Sequence, residues 1–267
     1  MKKSALMGLA FLCASTAFAD LSLEGHYQGR NIYVQSPESE DGFGYCINRV
    51  TVNGQPVSSD IQTSAFQIDL TEFDISIGDP VLILFEHEDG CRPKIINPEV
   101  ILPKSTFVLE EISCTPDGVL SFSTTGESGK LPFVIEQYKW NKWVAVGEID
   151  GIGKDELNSY KFHLLAHSGE NKVRISQTDN TGKKRVAGEV VFTSTSVVEP
   201  ELNTITNQRI IEFVAEGKRV KTKYEVFDAY GNIVKKGYNS IIDYSNLKKG
   251  VYHVNYDNKY DKVIVKG

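Results

Sequence analysis

Four cysteines, two tryptophans, two methionines and five histidines are all that 267 residues contain. No Cys-x-x-Cys pair occurs, which removes the commonest structural zinc spacing. Gly-x-Ser-x-Gly, His-Glu-x-x-His, a phosphate loop and a dinucleotide fingerprint are also missing, so the usual hydrolase, metalloprotease and nucleotide-dependent classes have no foothold. Beyond the first twenty residues no apolar run approaches the ~18 residues that a membrane-spanning helix needs. No stretch keeps a 3.6-residue apolar period either, which argues against a helical protein.

What remains is short apolar runs separated by turn residues, and a distinctive start. Met1-Lys2-Lys3 is a basic n-region, Ala5 to about Ala14 an apolar core, and Ala17-Phe18-Ala19 a small-x-small cleavage site before Asp20. Residues 1–19 read as a secretory signal peptide cut between Ala19 and Asp20. From Glu199 onward twelve Lys or Arg face nine Asp or Glu, whereas the whole chain carries −6. Residues 20–198 are therefore strongly acidic. This change of sign suggests a domain boundary near Pro200 and argues against a nucleic-acid partner. Short strands at regular spacing predict an all-β chain of tandem small β-sandwiches, immunoglobulin- or fibronectin III-like, at 20–104, 105–195 and 205–267, with a linker at 196–204.

Three cysteines follow the signal peptide. Cys46 opens the run Tyr45–Val52 and Cys91 follows the run Val81–His87, so two strand ends of one domain can meet at bridging distance. Cys114 lies beyond a proline-rich connection. One disulfide, Cys46–Cys91, is expected, in keeping with export to an oxidising compartment. In the first domain, strands are expected at Ile32–Gln35, Tyr45–Val52, Phe66–Leu70, Val81–Phe85 and Glu99–Leu102, with a hairpin turn at Asn53-Gly54. In the second, seven strands are expected between Leu109 and Phe192, with turns at Pro116-Asp117-Gly118, Gly151–Gly153 and Asn180–Gly182. The run Val134-Ile-Glu-Gln, Trp143-Val-Ala-Val-Gly, Ser159-Tyr-Lys-Phe, Val173-Arg-Ile and Asp179-Asn-Thr-Gly resembles a fibronectin type III module.

The last forty residues are the most patterned. Tyr224-Glu-Val-Phe-Asp228-Ala-Tyr-Gly231 places a turn where one residue needs positive φ, a conformation glycine adopts without steric cost. In Leu247-Lys-Lys-Gly250-Val-Tyr252, Leu247 is expected to anchor the loop in the core and Gly250 to reverse the chain. Tyr252, Val254 and Tyr256 then share a strand face. Lys262-Val-Ile-Val-Lys266 reads as a final strand. Aromatic-x-Val-aromatic-Asp-x-x-Gly, then Leu-x-x-Gly-x-Tyr, then this ending resembles the type A C-terminal sorting domain of the type IX secretion system of the Bacteroidetes lineage. The Tyr-Pro-Asn-Pro that often opens such domains is absent; Val198-Glu-Pro-Glu-Leu stands there instead. The resemblance implies export by way of the periplasm to the cell surface or medium. It also implies two partners, the translocon and a sortase-like peptidase cutting around Thr195–Asn203, and it raises attachment to anionic lipopolysaccharide.

For chemistry, Glu86-His87-Glu88-Asp89-Gly90-Cys91 is the densest reactive cluster, but a charged turn leaving a buried strand is the better explanation, and a disulfide would remove the thiolate. The histidines are read as surface or structural groups and no metal or cofactor is expected. Trp140 and Trp143, with Tyr138, could stack on a sugar; core aromatics are the commoner explanation, since a fibronectin-like sandwich normally packs a tryptophan between its sheets. The reading is a non-catalytic exported β-sandwich protein. The alternatives are an accessory or signalling component of the secretion machinery and, further off, a carbohydrate-binding module.

Overall fold

The structure, a computed structural model, describes residues 19–266. The expected signal peptide lies outside them up to Phe18, and the expected cleavage point, between Ala19 and Asp20, falls within the backbone of the first strand. The chain divides into two compact units, the first ending at Leu102 and the second running from Pro103.

The first unit is a two-sheet sandwich. Its strands are β1 (Ala19–His26), β2 (Ile32–Gln35), β3 (Ile47–Val52), β4 (Gln55–Pro56), β5 (Ala65–Ile68), β6 (Pro80–His87) and β7 (Lys94–Ile95). One sheet runs β1-β6-β3-β4 and the other β5-β2-β7. Alternation dictates this: Val81, Ile83, Phe85 and His87 of β6 point inward while the residues between them are more exposed. Asn53 and Gly54 both have positive φ and close the β3–β4 turn as expected. Cys46, just before β3, is bonded to Cys91, just past β6, with a Cα separation of 6.1 Å. His87 is buried and its Nδ1 lies 2.9 Å from the Glu88 carbonyl, and Ser39 donates to the Glu88 carboxylate. The reactive-looking cluster thus serves the fold.

One expectation needs correction here. Glu99–Leu102 is not a strand: Pro98–Ile101 forms a 3-10 turn, because Pro98 has no N–H to give a ladder and a helical first turn tolerates it. The side chain of Asn97 instead binds strand backbone, accepting from Tyr33 N at 2.8 Å and donating to Asn31 O at 3.0 Å. β1 was not anticipated. Its Gly25 is needed because a Cβ there would stand 2.3 Å from the Ile101 carbonyl oxygen.

The second unit holds two sandwiches. The first is built from β8 (Val108–Cys114), β9 (Val119–Thr125), β10 (Pro132–Lys139), β11 (Lys142–Asp150), β12 (Asn158–His163), β13 (Gly169–Thr178) and β14 (Lys184–Ser194). The sheets β12-β9-β8 and β11-β10-β13-β14 reproduce fibronectin III-like pairing, with the fourth strand beside the third. Contrary to expectation, no tryptophan lies between the sheets. Phe107, Phe122, Phe133 and Tyr160 fill that space in mutual ring contact. The Tyr160 hydroxyl donates to buried Glu127 at 2.6 Å, and the same carboxylate accepts Gly153 N–H at 2.7 Å. Burial, with that carboxylate as neighbour, pushes the Tyr160 phenol well above its usual range.

The final sandwich comprises β15 (Glu201–Ile205), β16 (Ile210–Ala215), β17 (Lys218–Arg219), β18 (Thr222–Phe227), β19 (Ile233–Asn239), β20 (Ile241–Asp243), β21 (Gly250–Tyr256) and β22 (Lys259–Val265). One sheet runs β15-β16-β17 with β20 on β16; the other runs β19-β18-β21-β22. Its core gathers Phe213, Val226, Val254, Tyr256 and Val263, with Leu247 packed against them. The linker is shorter than 196–204, since β14 ends at Ser194 and Glu201 already pairs with Val214. Pro200 is buried, and Glu199 accepts from Lys259 Nζ at 2.7 Å. The exposed backbone available to a protease shrinks to residues 195–199.

Candidate functional site

The C-terminal motif residues fall into distinct structural roles. Asp228 Oδ1 accepts the backbone N–H groups of Tyr230 and Asn232, each at 2.9 Å, and Gly231 has φ +84°. Hydrogen bonds, led by the Asn232 side chain, hold the Asp228 carboxyl below its usual range. The fibronectin-like sandwich contains the same loop: Asp179 accepts from Thr181 N and Lys183 N, and Gly182 has φ +77°. In both loops Asp-x-x-Gly is turn chemistry, and by itself it says nothing of export.

Leu247 packs under its loop as anticipated, and its carbonyl accepts from Arg209 at 3.1 Å. Tyr252 is buried and donates to the Lys248 carbonyl at 3.0 Å. Gly250 departs from expectation. It opens β21 opposite Val265 rather than reversing the chain, and its φ lies outside the left-handed region. A Cβ at Gly250 would make only an ordinary 3.7 Å contact with Tyr252, so no strain singles it out. Lys262 and Lys266 are exposed, and β22, which carries Lys262, is an edge strand. Lysine on an edge also blunts unwanted pairing.

A denser site arises where two hairpin tips meet. The β10–β11 tip is Trp140-Asn141, both at positive φ, and the β21–β22 tip is Asp257-Asn258, with Asp257 at φ +49°. Positive φ is easy for Asn and Asp but an outlier for tryptophan. Trp140 is held there from across the junction: its N–H donates to Asn258 Oδ1 at 3.1 Å. Asp257, buried, accepts Ser168 N–H at 3.0 Å on one oxygen and the Ser168 hydroxyl on the other. Its own N–H donates to Thr222 Oγ1 at 3.1 Å. Lys142 and Glu225 pair at 3.3 Å at the rim. The fibronectin-like and C-terminal sandwiches are thus clasped by polar contacts, part-buried at Ser168–Asp257 and exposed at Trp140–Asn258, rather than merely strung together.

Two titratable groups sit inside this clasp. Lys139, on the inward face of β10, is only 2 % exposed. Burial lowers its pKa to about 8, with Asp257 opposing and Lys223 adding to the shift. His167, also buried, is held below its usual value chiefly by burial, with Lys139 adding. His163 and His167 stand four apart, a ligand spacing on a helix, but here His163 is exposed at the end of β12 while His167 turns into the junction. Among the described residues no group of three or more His, Cys, Asp or Glu is placed to hold a metal ion.

Trp140 and Trp143 do not form a shared platform. Trp143 meets Tyr138 edge-on at 5.3 Å, and the Arg174 guanidinium lies 4.1 Å over its ring. Trp140 sits in the junction between Lys139 and Lys142. The sequence hid this clasp because the residues that meet across it are more than eighty positions apart. Asp257→Asn keeps the turn but removes the charge and one acceptor. It should cost about 1–2 kcal/mol, read as a lower urea midpoint, and an unchanged midpoint would remove Asp257 from the clasp.

No family model matches this sequence, and no curated protein matches it. Among solved structures, the chain is similar to a tetra-tandem repeat in the extending region of a large adhesion protein, at 12% identity over 92% of this chain and 75% of that one, TM-score 0.27. It is similar to the FN1-FN3 domains of chicken CNTN1, at 11% identity over 94% and 96%, TM-score 0.24. A likeness to the glycoside hydrolase domain of Endo-D from Streptococcus pneumoniae R6, at 11% identity, covers 67% of this chain but 29% of that chain, TM-score 0.22. The chain spans less than a third of that hydrolase domain's length. At such scores none of them decides a substrate or a partner. The all-β, tandem-sandwich architecture rests on this chain's own sheets.

Proposed function

We propose that this is a non-catalytic, exported β-sandwich protein whose C-terminal sandwich is a type IX sorting signal, read as a folded surface. The observation that carries the reading is β22, an edge strand that buries Val263 and Val265 and turns Lys262 and Ile264 outward. Such an edge can accept an added strand from a translocon, with side chains available for recognition. The order of the three C-terminal motifs supports the same reading. The non-catalytic part is supported by the fate of the buried carboxylates: Glu127 and Asp257 direct their hydrogen bonds into the fold, and Glu136 is paired with Arg174 and Lys184. A sortase-like cut belongs in residues 195–199, ahead of buried Pro200.

The test follows delivery in the cells that make the protein. Truncation after Val198 and Val263→Asp, which puts a carboxylate into the sandwich core, should both leave the protein in the periplasm. Gly250→Ala should reach the surface normally, since its Cβ has room. Surface delivery of the truncated chain at wild-type levels would end the sorting-signal reading.

A further inference from the structure

Beside the clasp lies a cleft of about 310 Å³, bounded by the end of β10, the 195–200 connection and β17–β18. That volume is at the lower end of small-molecule sites. Its lining is two-sided. Leu165, Val198, Pro200 and Val220 make an apolar wall, and Lys139, Lys218, Lys221 and Lys223 bring four ammonium groups, against the carboxylates of Glu216 and Asp257. Both Asp257 oxygens are already engaged by Ser168.

Lys139 is the feature that a bare surface patch would lack. Its side chain is buried and lines the cleft, and among the described residues no hydrogen bond or ion pair reaches its ammonium; its neighbour is the Trp140 ring, 5.6 Å away. Burying an ammonium without an acceptor is costly, and the site becomes favourable once an anion in the cleft accepts its hydrogen bonds. The depressed pKa of Lys139 is consistent with that missing acceptor. We infer that this cleft binds a small organic carboxylate, its head at Lys139 and Lys221 and its hydrocarbon body against Leu165, Val198 and Pro200. A monoanion fits better than a phosphate dianion, because Asp257 stays within electrostatic reach of Lys139 and repels a second charge. This site stands whether or not the C-terminal sandwich directs export.

Isothermal titration of the uncut chain, residues 20–267, with hexanoate tests it, with inorganic phosphate as the polar anion. Hexanoate should bind saturably, and phosphate at least tenfold more weakly. Lys139→Met should weaken hexanoate about tenfold or more, equivalent to ~1.4 kcal/mol. That variant removes a buried charge, so it should fold. Exposed Lys221→Glu, which leaves the core alone, should weaken hexanoate as well. Absence of saturable hexanoate binding, binding equal in wild type and Lys139→Met, or phosphate binding as tightly as hexanoate would each overturn the assignment.

Discussion

Lys139→Met should stabilise the second unit at neutral pH, not weaken it. The lysine's pKa falls from 10.5 in the unfolded chain to about 8 in the fold. Below the folded value the native state therefore carries a charge that it holds less well than water does. Methionine, similar in reach and uncharged, removes the penalty; the gain is up to about 3 kcal/mol at pH 7. The pH dependence has a definite sign. Between about 8 and 10.5 the unfolded chain binds more protons than the folded one, so wild-type stability rises through that window and is lost as pH falls through 8. Lys139→Met lacks this rise. Urea unfolding at pH 7 and pH 10 would show the two proteins converging at the higher pH. Parallel behaviour at both values would mean that Lys139 is solvated in the native state.

The second large effect belongs to the first unit. Cys46 and Cys91 are 45 residues apart in sequence. Closing a loop of that length stabilises by about 4 kcal/mol in the chain-entropy model, a large share of what a domain this size retains. The double variant Cys46→Ser/Cys91→Ser should lower the calorimetric transition of residues 20–102 steeply and leave that of residues 103–267 where it was. Cys114 offers no replacement bridge: it is a half-buried free thiol, and burial, with Asp117 nearby, pushes it up to about 11. A double variant as stable as wild type would show that the bridge contributes little to the native state.

Much of this architecture was legible in the sequence because β-sandwiches are written in local terms. The seven strands of the fibronectin-like sandwich, the Asn53-Gly54 turn, the Asp228–Gly231 turn and the inward trio Tyr252, Val254 and Tyr256 all follow from alternation and turn chemistry. The disulfide was legible too, as two strand ends of one domain. The β16–β17 hairpin was missed although Glu216-Gly217 at its tip, both with positive φ, carries the signal. Gly250 was misjudged because a glycine before a strand resembles a reversal, whereas the chain turns earlier, with Leu247 N–H bonded to Tyr244 O at 3.0 Å. The clasp was not legible at all. Nothing local distinguishes Lys139 from a solvated lysine; only pairing β10 against β11 and β21 against β22 brings the two tips together.

Both tryptophans of the chain, Trp140 and Trp143, lie on one hairpin at the clasp. The protein's indole emission therefore reports on a single seam. Separation of the two C-terminal sandwiches would change the surroundings of Trp140, whereas unfolding of residues 20–102, which contain no tryptophan, would pass unseen with excitation confined to the indole. An optical denaturation curve and a calorimetric one should consequently disagree on how many steps this protein takes to unfold, and the disagreement itself would locate the first unit's transition.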